Sequence, residues 1–420
     1  MNATRHCHCG LDPQSPEMKS RLVLRRLRVK PAMTMLCAFL LLISCQGKQA
    51  VSSVSTDGQD SLYYAQNFTI ESYPGYEVIS IRNPWKEGDI LQTYVLVPEN
   101  LTLPDSLPEG TLLRTPLTHT VTFSSVVCGM MDELGVTGRL VGVGDATYIL
   151  TPSIQAGLAD GSIQDVGQEM QPNVEKLILL EPQLIMTTPI NESAVGALRA
   201  TPLHAPTIPC LDYLENHPLG QAEWIRLFGR LFGEKELADS LFFATVEAYE
   251  SLRQSVSEVK NRPTVFTEKK YGDFWYVPGG KSYTTHLLQD AGADYIWKDN
   301  SSTGNISLSF ETVLDKAEKA DFWLIKYYQL PVTSYQLPVT GYRLSDDDAM
   351  LTYRQLVGED PKYALFDAFK NHNIYACNTA QSTYYQEVIL HPDRLLQDLI
   401  KVFHPELLPD YELKFYLKCF

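Results

Sequence analysis

Between residues 269 and 281 the chain gathers side chains suited to holding a flat, charged ligand. Tyr271, Trp275 and Tyr276 offer ring faces that stack on planar catechol or macrocycle rings, while Lys269, Lys270 and Lys281 complement negative charge. The same rings could instead pack beneath the Pro278-Gly279-Gly280 turn, and the residues alone leave both readings open. Tyr327, Tyr384 and Tyr385 invite a similar choice. They could ligate bare ferric iron as phenolates or line a wall. A direct iron site usually adds a carboxylate or histidine that the sequence does not place, so lining the wall is the expectation.

Other chemistries find less support. The histidines after residue 45 (His119, His204, His217, His286, His372, His391 and His404) are scattered, with no HxH, no HExxH and no His-rich loop. A zinc or manganese site is therefore not expected. No GxSxG elbow, P-loop or CxxC occurs, and Gly142-Val143-Gly144-Asp145 lacks the third glycine of a dinucleotide fingerprint. The expectation is a binding protein rather than an enzyme, with a secreted hydrolase as the alternative and no resident cofactor. A formal charge of −15 speaks against nucleic acid, since nothing offers a basic stripe to phosphates.

The beginning of the chain reads as an export signal. Lys19, Arg21, Arg25, Arg26, Arg28 and Lys30 precede a short apolar run from Met33 to Ile43. That run is about half the ~20 residues a spanning helix needs. It ends in Leu42-Ile43-Ser44-Cys45, which resembles the bacterial lipobox, whose cysteine is lipidated and becomes the first mature residue. Residues 1–44 are thus a leader and signal peptide, with Cys7-His8-Cys9 set aside as part of it, and 45–60 a polar tether. Removing 1–44 takes away seven Lys/Arg and two Asp/Glu, leaving 28 basic and 48 acidic residues and a net charge of −20. Of the later cysteines Cys128, Cys210, Cys377 and Cys419, no pairing is fixed by sequence.

The elements that must position these groups follow from periodicity. Residues 61–115 alternate at period two in Phe68–Ile70, Tyr76–Ile81 and Leu91–Val97, which predicts a β-rich extension. From Val121 short apolar strands (Val121–Phe123, Leu140–Val143, Leu184–Met186) alternate with helical stretches, the pattern of a parallel α/β lobe. Helices are predicted over 221–232 and 234–258, and a second α/β series runs from Pro263 to Phe403. The expected division is an N-terminal lobe with its β extension over 61–233, an interlobe helix over 234–260 and a C-terminal lobe over 261–420. A tandem duplication, Tyr328-Gln-Leu-Pro-Val-Thr-Ser and Tyr335-Gln-Leu-Pro-Val-Thr-Gly, reads as a surface-loop insertion, which costs little entropy. Its position after a strand could also place tyrosines at a cleft mouth.

Several segments in order resemble the helical-hinge substrate-binding proteins of ABC importers, which serve iron-siderophores, haem and cobalamin. They include Val121-Thr122-Phe123-Ser124-Ser125, Leu140–Val143, Gly161–Gly167, Pro172-Asn173-Val174-Glu175 and Glu181-Pro182-Gln183-Leu184-Ile185. Trp275–Tyr283, Asp290–Ala293 and Ser309-Phe310-Glu311 match in the second half. The β extension, the duplication and Gln183, where the family often has Asp, depart from it. The resemblance implies two Rossmann-like α/β lobes joined by one long helix, with the ligand between them at the strand ends. The implied ligand is a ferric-siderophore-type chelate, with haem or cobalamin as alternatives. Implied wall residues are Ser124, Ser125, Tyr148, Glu169, Met170 and Thr188 from the first lobe. The second lobe would supply Lys269, Tyr271, Trp275, Tyr276, Asn305, Lys326, Tyr327, Tyr384 and Tyr385. The resemblance also implies that Glu175 and Glu311, one per lobe, pair with arginines of a permease dimer driven by its ATPase. The expected location is the periplasm, on the membrane by the lipid on Cys45.

The lipobox reading has a direct check. Cys45→Ala is expected to release the protein into the soluble fraction, and a variant that stays with membranes through a carbonate wash would contradict it.

Overall fold

The computed structural model describes residues 59–195, 205–329 and 350–420. The leader 1–44, Cys45, the tether as far as residue 58 and the duplicated segment beyond Gln329 lie outside them. Two central sheets organise the chain. In the first lobe, Thr207–Pro209, Leu184–Thr187, Thr120–Thr122, Leu140–Val143 and Gln164–Asp165 lie side by side, all parallel. In the second, Asp294–Tyr295, Thr264–Thr267, Phe322–Tyr327 and Ile374–Asn378 are parallel, and Leu417–Lys418 closes the edge antiparallel. Strands covered by helices on both faces need apolar residues throughout, which is why Leu184-Ile185-Met186 is buried without alternation. The fold is therefore α/β, two lobes with parallel sheets and a β-rich N-terminal extension.

That extension is a five-stranded sheet from Gln59 to Thr115. The last two tether residues, Gln59 and Asp60, already pair with Glu71 and Ile70. Its inner face buries Phe68, Ile70, Ile79, Ile81, Tyr94 and Leu96 in the same core as the first lobe's Leu184, Met186 and Ile208. The Tyr94 hydroxyl donates to the Thr207 carbonyl at 2.6 Å, joining the two sheets.

One helix, Lys235–Ser255, links the lobes, where the sequence predicted 234–258. At 21 residues it is ~31 Å long. Ala238 and Phe242 belong to the first lobe's core, Tyr249 to the second's, and Val246 packs against both. Before it, the single helix expected over 221–232 is two, Pro218–Ala222 and Ile225–Phe232.

The break between them carries a buried carboxylate. Glu223 is fully buried and accepts N–H bonds from Tyr63, Tyr64 and Ala65 at 2.8–3.1 Å. Glu215 accepts from the next two, Gln66 and Asn67, and from the Trp224 indole at 3.0 Å. Burial pushes Glu215 up to about 7, against the pull of those donors. Arg226 completes the cluster, bonding Glu223 at 2.9 Å, Asp239 of the linking helix at 2.7 Å and the Ser61 carbonyl at 3.1 Å. Among the described residues no helix is long and apolar enough to cross a membrane.

Removing one member of a buried, hydrogen-bonded charge pair costs about 3–5 kcal/mol, because the partner stays desolvated. Glu223→Ala is expected to lose that much stability in chemical denaturation of the domain. A loss below about 1 kcal/mol would show that the cluster is not holding the extension.

Candidate functional site

Between the lobes lies a cleft of about 890 Å³. The first lobe contributes Tyr213 and Leu214; the second contributes Lys269, Tyr271, Tyr276, Asn305, Lys326, Tyr327 and Tyr385 among others. An adjoining recess of about 340 Å³ takes Ser125 and Tyr148 from the first lobe and shares Tyr328, Thr379 and Tyr385 with the cleft. Tyr148 meets Tyr328 edge-on across it, ring centres 5.3 Å apart. Ser125 opens the helix Ser125–Glu133, whose N-cap Ser124 is buried and accepts from the Val127 N–H at 3.3 Å. Tyr271 is 83% exposed and Tyr276 43%, so their rings are available to a ligand.

Trp275 is not, and the expectation for it is corrected. Along the strand Phe274–Pro278 side chains alternate, so Tyr276 points out while Trp275 points in. Trp275 is fully buried against Phe266, Trp323 and Phe366, and its indole donates to the Thr267 carbonyl at 3.0 Å. Tyr384 is corrected too. It sits on a single-turn helix, Tyr384–Glu387, buried against Phe415, and does not line the cleft. Its neighbour Tyr385 does.

Glu169 and Thr188 are brought to each other. Both Glu169 oxygens accept from the Thr188 N–H, at 3.1 and 3.0 Å, and burial raises the Glu169 pKa. Glu169 and the exposed Met170 border a separate hollow of about 420 Å³, whose described walls all come from the first lobe. They stand apart from the tyrosine-lined cleft. Tyr327 lines that cleft half-buried, its hydroxyl oxygen accepting from the Leu351 N–H at 3.0 Å.

The lysines differ most from expectation, because the three that line the cleft are already paired. Lys269 bonds Glu359 at 2.5 Å, Lys270 bonds Asp360 at 3.1 Å and Lys326 bonds Glu268 at 2.8 Å. Lys281 is exposed and does not line the cleft. Burial works against the charge on Lys326, but Glu268 together with Tyr384, Tyr416 and Tyr283 outweighs it and holds its pKa well above the usual lysine range. Glu268 sits in the left-handed region, φ 65°, a conformation that costs a non-glycine residue energy. Its main chain is fixed there by N–H donation to Leu324 O at 2.7 Å and by the Trp323 indole at 2.6 Å. Glu268, Tyr213, Tyr283 and Tyr328 are cleft residues that the sequence reading passed over. Only Tyr328, at the start of the duplication, carried a visible signal.

On the outer surface, Glu175 and Glu311 are exposed in the first turns of helices Val174–Leu180 and Phe310–Ala317. Asn173 and Ser309 cap those helices, accepting from Lys176 and Thr312. Gln183 has its own work, its side-chain oxygen accepting from the Thr118 and His119 N–H groups at 2.7 and 3.0 Å. Among the described residues no three His, Cys, Asp or Glu side chains converge as metal ligands would.

A second contact ties the lobes. Ile389 and Leu390, reached through the second lobe, belong to the first lobe's core. Gln386 donates to the Tyr148 carbonyl at 3.0 Å, and His391 bonds Glu133 at 3.0 Å. Gly129 faces Gln386 so closely that a Cβ would lie 2.0 Å from its carbonyl oxygen. The segment is held from behind by Glu387, which accepts from Thr383, Arg394 and Lys414. Burial alone would raise its pKa, yet those bonds win and bring it to about 2.

Residues 121–380, well over half of the chain, match the periplasmic binding protein family. The chain belongs to that family. An uncharacterized lipoprotein of Methanocaldococcus jannaschii is 27% identical over 316 residues, 73% of this chain and 70% of that protein. A periplasmic binding protein from Veillonella parvula superposes with a TM-score of 0.56 at 16% identity, over 79% of this chain and 99% of that one. The ABC-type Fe3+-hydroxamate transport system structure from Saccharomonospora viridis gives 0.50 at 16% identity, over 69% and 94%. Members of the family are substrate-binding proteins rather than enzymes, and they work with ABC permeases.

The close approach at Gly129 can be tested. Gly129→Val is expected to push the two helices apart and cost about 1–3 kcal/mol or more, read as a lowered thermal midpoint. An unchanged midpoint would mean that this lobe contact is not close-packed.

Proposed function

We propose that this protein is the substrate-binding lipoprotein of an ABC importer, capturing a ferric-siderophore-type chelate and delivering it to the permease. The observation that carries the reading is the cleft with walls from both lobes, seven of its lining residues tyrosines, and large enough for a chelate of that size. Tyr271, Tyr276 and Tyr385 supply ring faces for the chelate's arms and hydroxyls for its oxygens. The likeness to the Fe3+-hydroxamate transport system of Saccharomonospora viridis and to the archaeal lipoprotein supports this reading. Delivery would use Glu175 and Glu311 against permease arginines, with Cys45 carrying the lipid that keeps the protein at the membrane. Both glutamates also suit a helix N-terminus electrostatically, a role worth ~0.3–1 kcal/mol.

Titrating the purified domain with ferric chelates, haem and cobalamin in separate calorimetric runs is expected to give saturable binding of a ferric chelate. Tyr271→Ala and Tyr276→Ala should each weaken it about two- to twelvefold, from stacking worth ~0.5–1.5 kcal/mol. Binding of cobalamin or haem alone would overturn the choice of ligand. For delivery, a double Glu175→Arg, Glu311→Arg variant should keep fold and affinity yet lose uptake. Normal uptake by that variant would leave the glutamates with only their first-turn helix role.

A further inference from the structure

A cleft's lysines attract an anion only to the extent that their charge is not already spent. Here each of the three lysines lining the cleft meets a carboxylate of its own lobe within 3.1 Å. Two of those carboxylates, Glu268 and Glu359, line the cleft themselves, and Asp360 stands directly behind Lys270. The adjoining recess adds Asp145 and no cation. Among the described residues neither wall presents an arginine or a histidine. Among the described residues the lining therefore carries no excess of positive charge, on a chain that is itself strongly acidic.

A triply anionic chelate entering this space would have to displace the carboxylates or sit beside them. Like charges held near one another in a partly dry site oppose binding by more than they would in water. A chelate of net charge zero meets no such opposition. The tyrosine hydroxyls can still donate to its metal-bound oxygens, and the rings can still stack.

We propose that the cleft selects its ligand by charge, taking a neutral ferric chelate in preference to a trianionic one. The proposal rests on the ferric-chelate reading above and adds the charge class. The paired carboxylates are then specificity determinants. Glu359 and Asp360 neutralise the rim lysines, and Glu268 neutralises the deeper one.

Two synthetic chelates on one tripodal amine scaffold isolate charge from shape. With three catecholamide arms the ferric complex is a trianion; with three hydroxypyridinone arms it is neutral. At low salt the wild-type protein is expected to bind the neutral complex at least tenfold more tightly. The Glu359→Gln, Asp360→Asn variant should move the affinity ratio at least fivefold towards the trianion, a shift that added salt diminishes. Equal or tighter binding of the trianion by the wild-type protein would overturn the proposal and leave the ferric-chelate reading standing. That comparison needs no variant to fold. Binding of neither complex, nor of any natural ferric chelate, would overturn both.

Discussion

Five consecutive backbone N–H groups, from residue 63 to 67, end on two buried carboxyls, and much of the architecture is tied to that arrangement. A carboxylate taken out of water is tolerated only when its oxygens are satisfied together, so the segment is held in one register. The same cluster reaches the linking helix through Arg226 and Asp239, and the first lobe's core through Trp224. The β extension is thus fastened at the junction where the two lobes diverge. It also explains why the helix preceding the linker is broken: Glu223 falls at the interruption, its carboxylate turned to the extension.

The second theme is how little of the cleft's polarity is free. The three lysines that line it are committed to carboxylates, while tyrosine is the commonest residue on its wall. Phenols are useful in such a place because they carry no charge at neutral pH. They offer a donor, an acceptor and a ring face from one side chain with few rotatable bonds.

The sequence revealed the frame more readily than the site. Leu140–Val143 coincides with its predicted strand, and the linking helix begins and ends within three residues of expectation, because both are written in local periodicity. Trp275 and Tyr276 could have been separated by the same logic, since neighbours on a strand face opposite ways. Pairings such as Lys269 with Glu359 and Lys326 with Glu268 could not, because they join residues 90 and 58 apart through the fold. Tyr384 and Tyr385 lie on one short turn, where no pattern tells which faces inward. The departure at Gln183 proves local, its amide oxygen doing the capping that an Asp could do.

The lobes are joined through the linking helix and again through the segment Tyr384–Leu390, whose last two residues sit in the opposite core. Two bodies pinned at two places keep one inexpensive freedom, a rocking about the line between the pins. Any wider gape would have to withdraw Ile389 and Leu390 into water, at about 1.5–3 kcal/mol for each side chain. The cleft is therefore a shallow-stroke device. A change in its width that keeps both connections is confined to a small rotation of one lobe against the other.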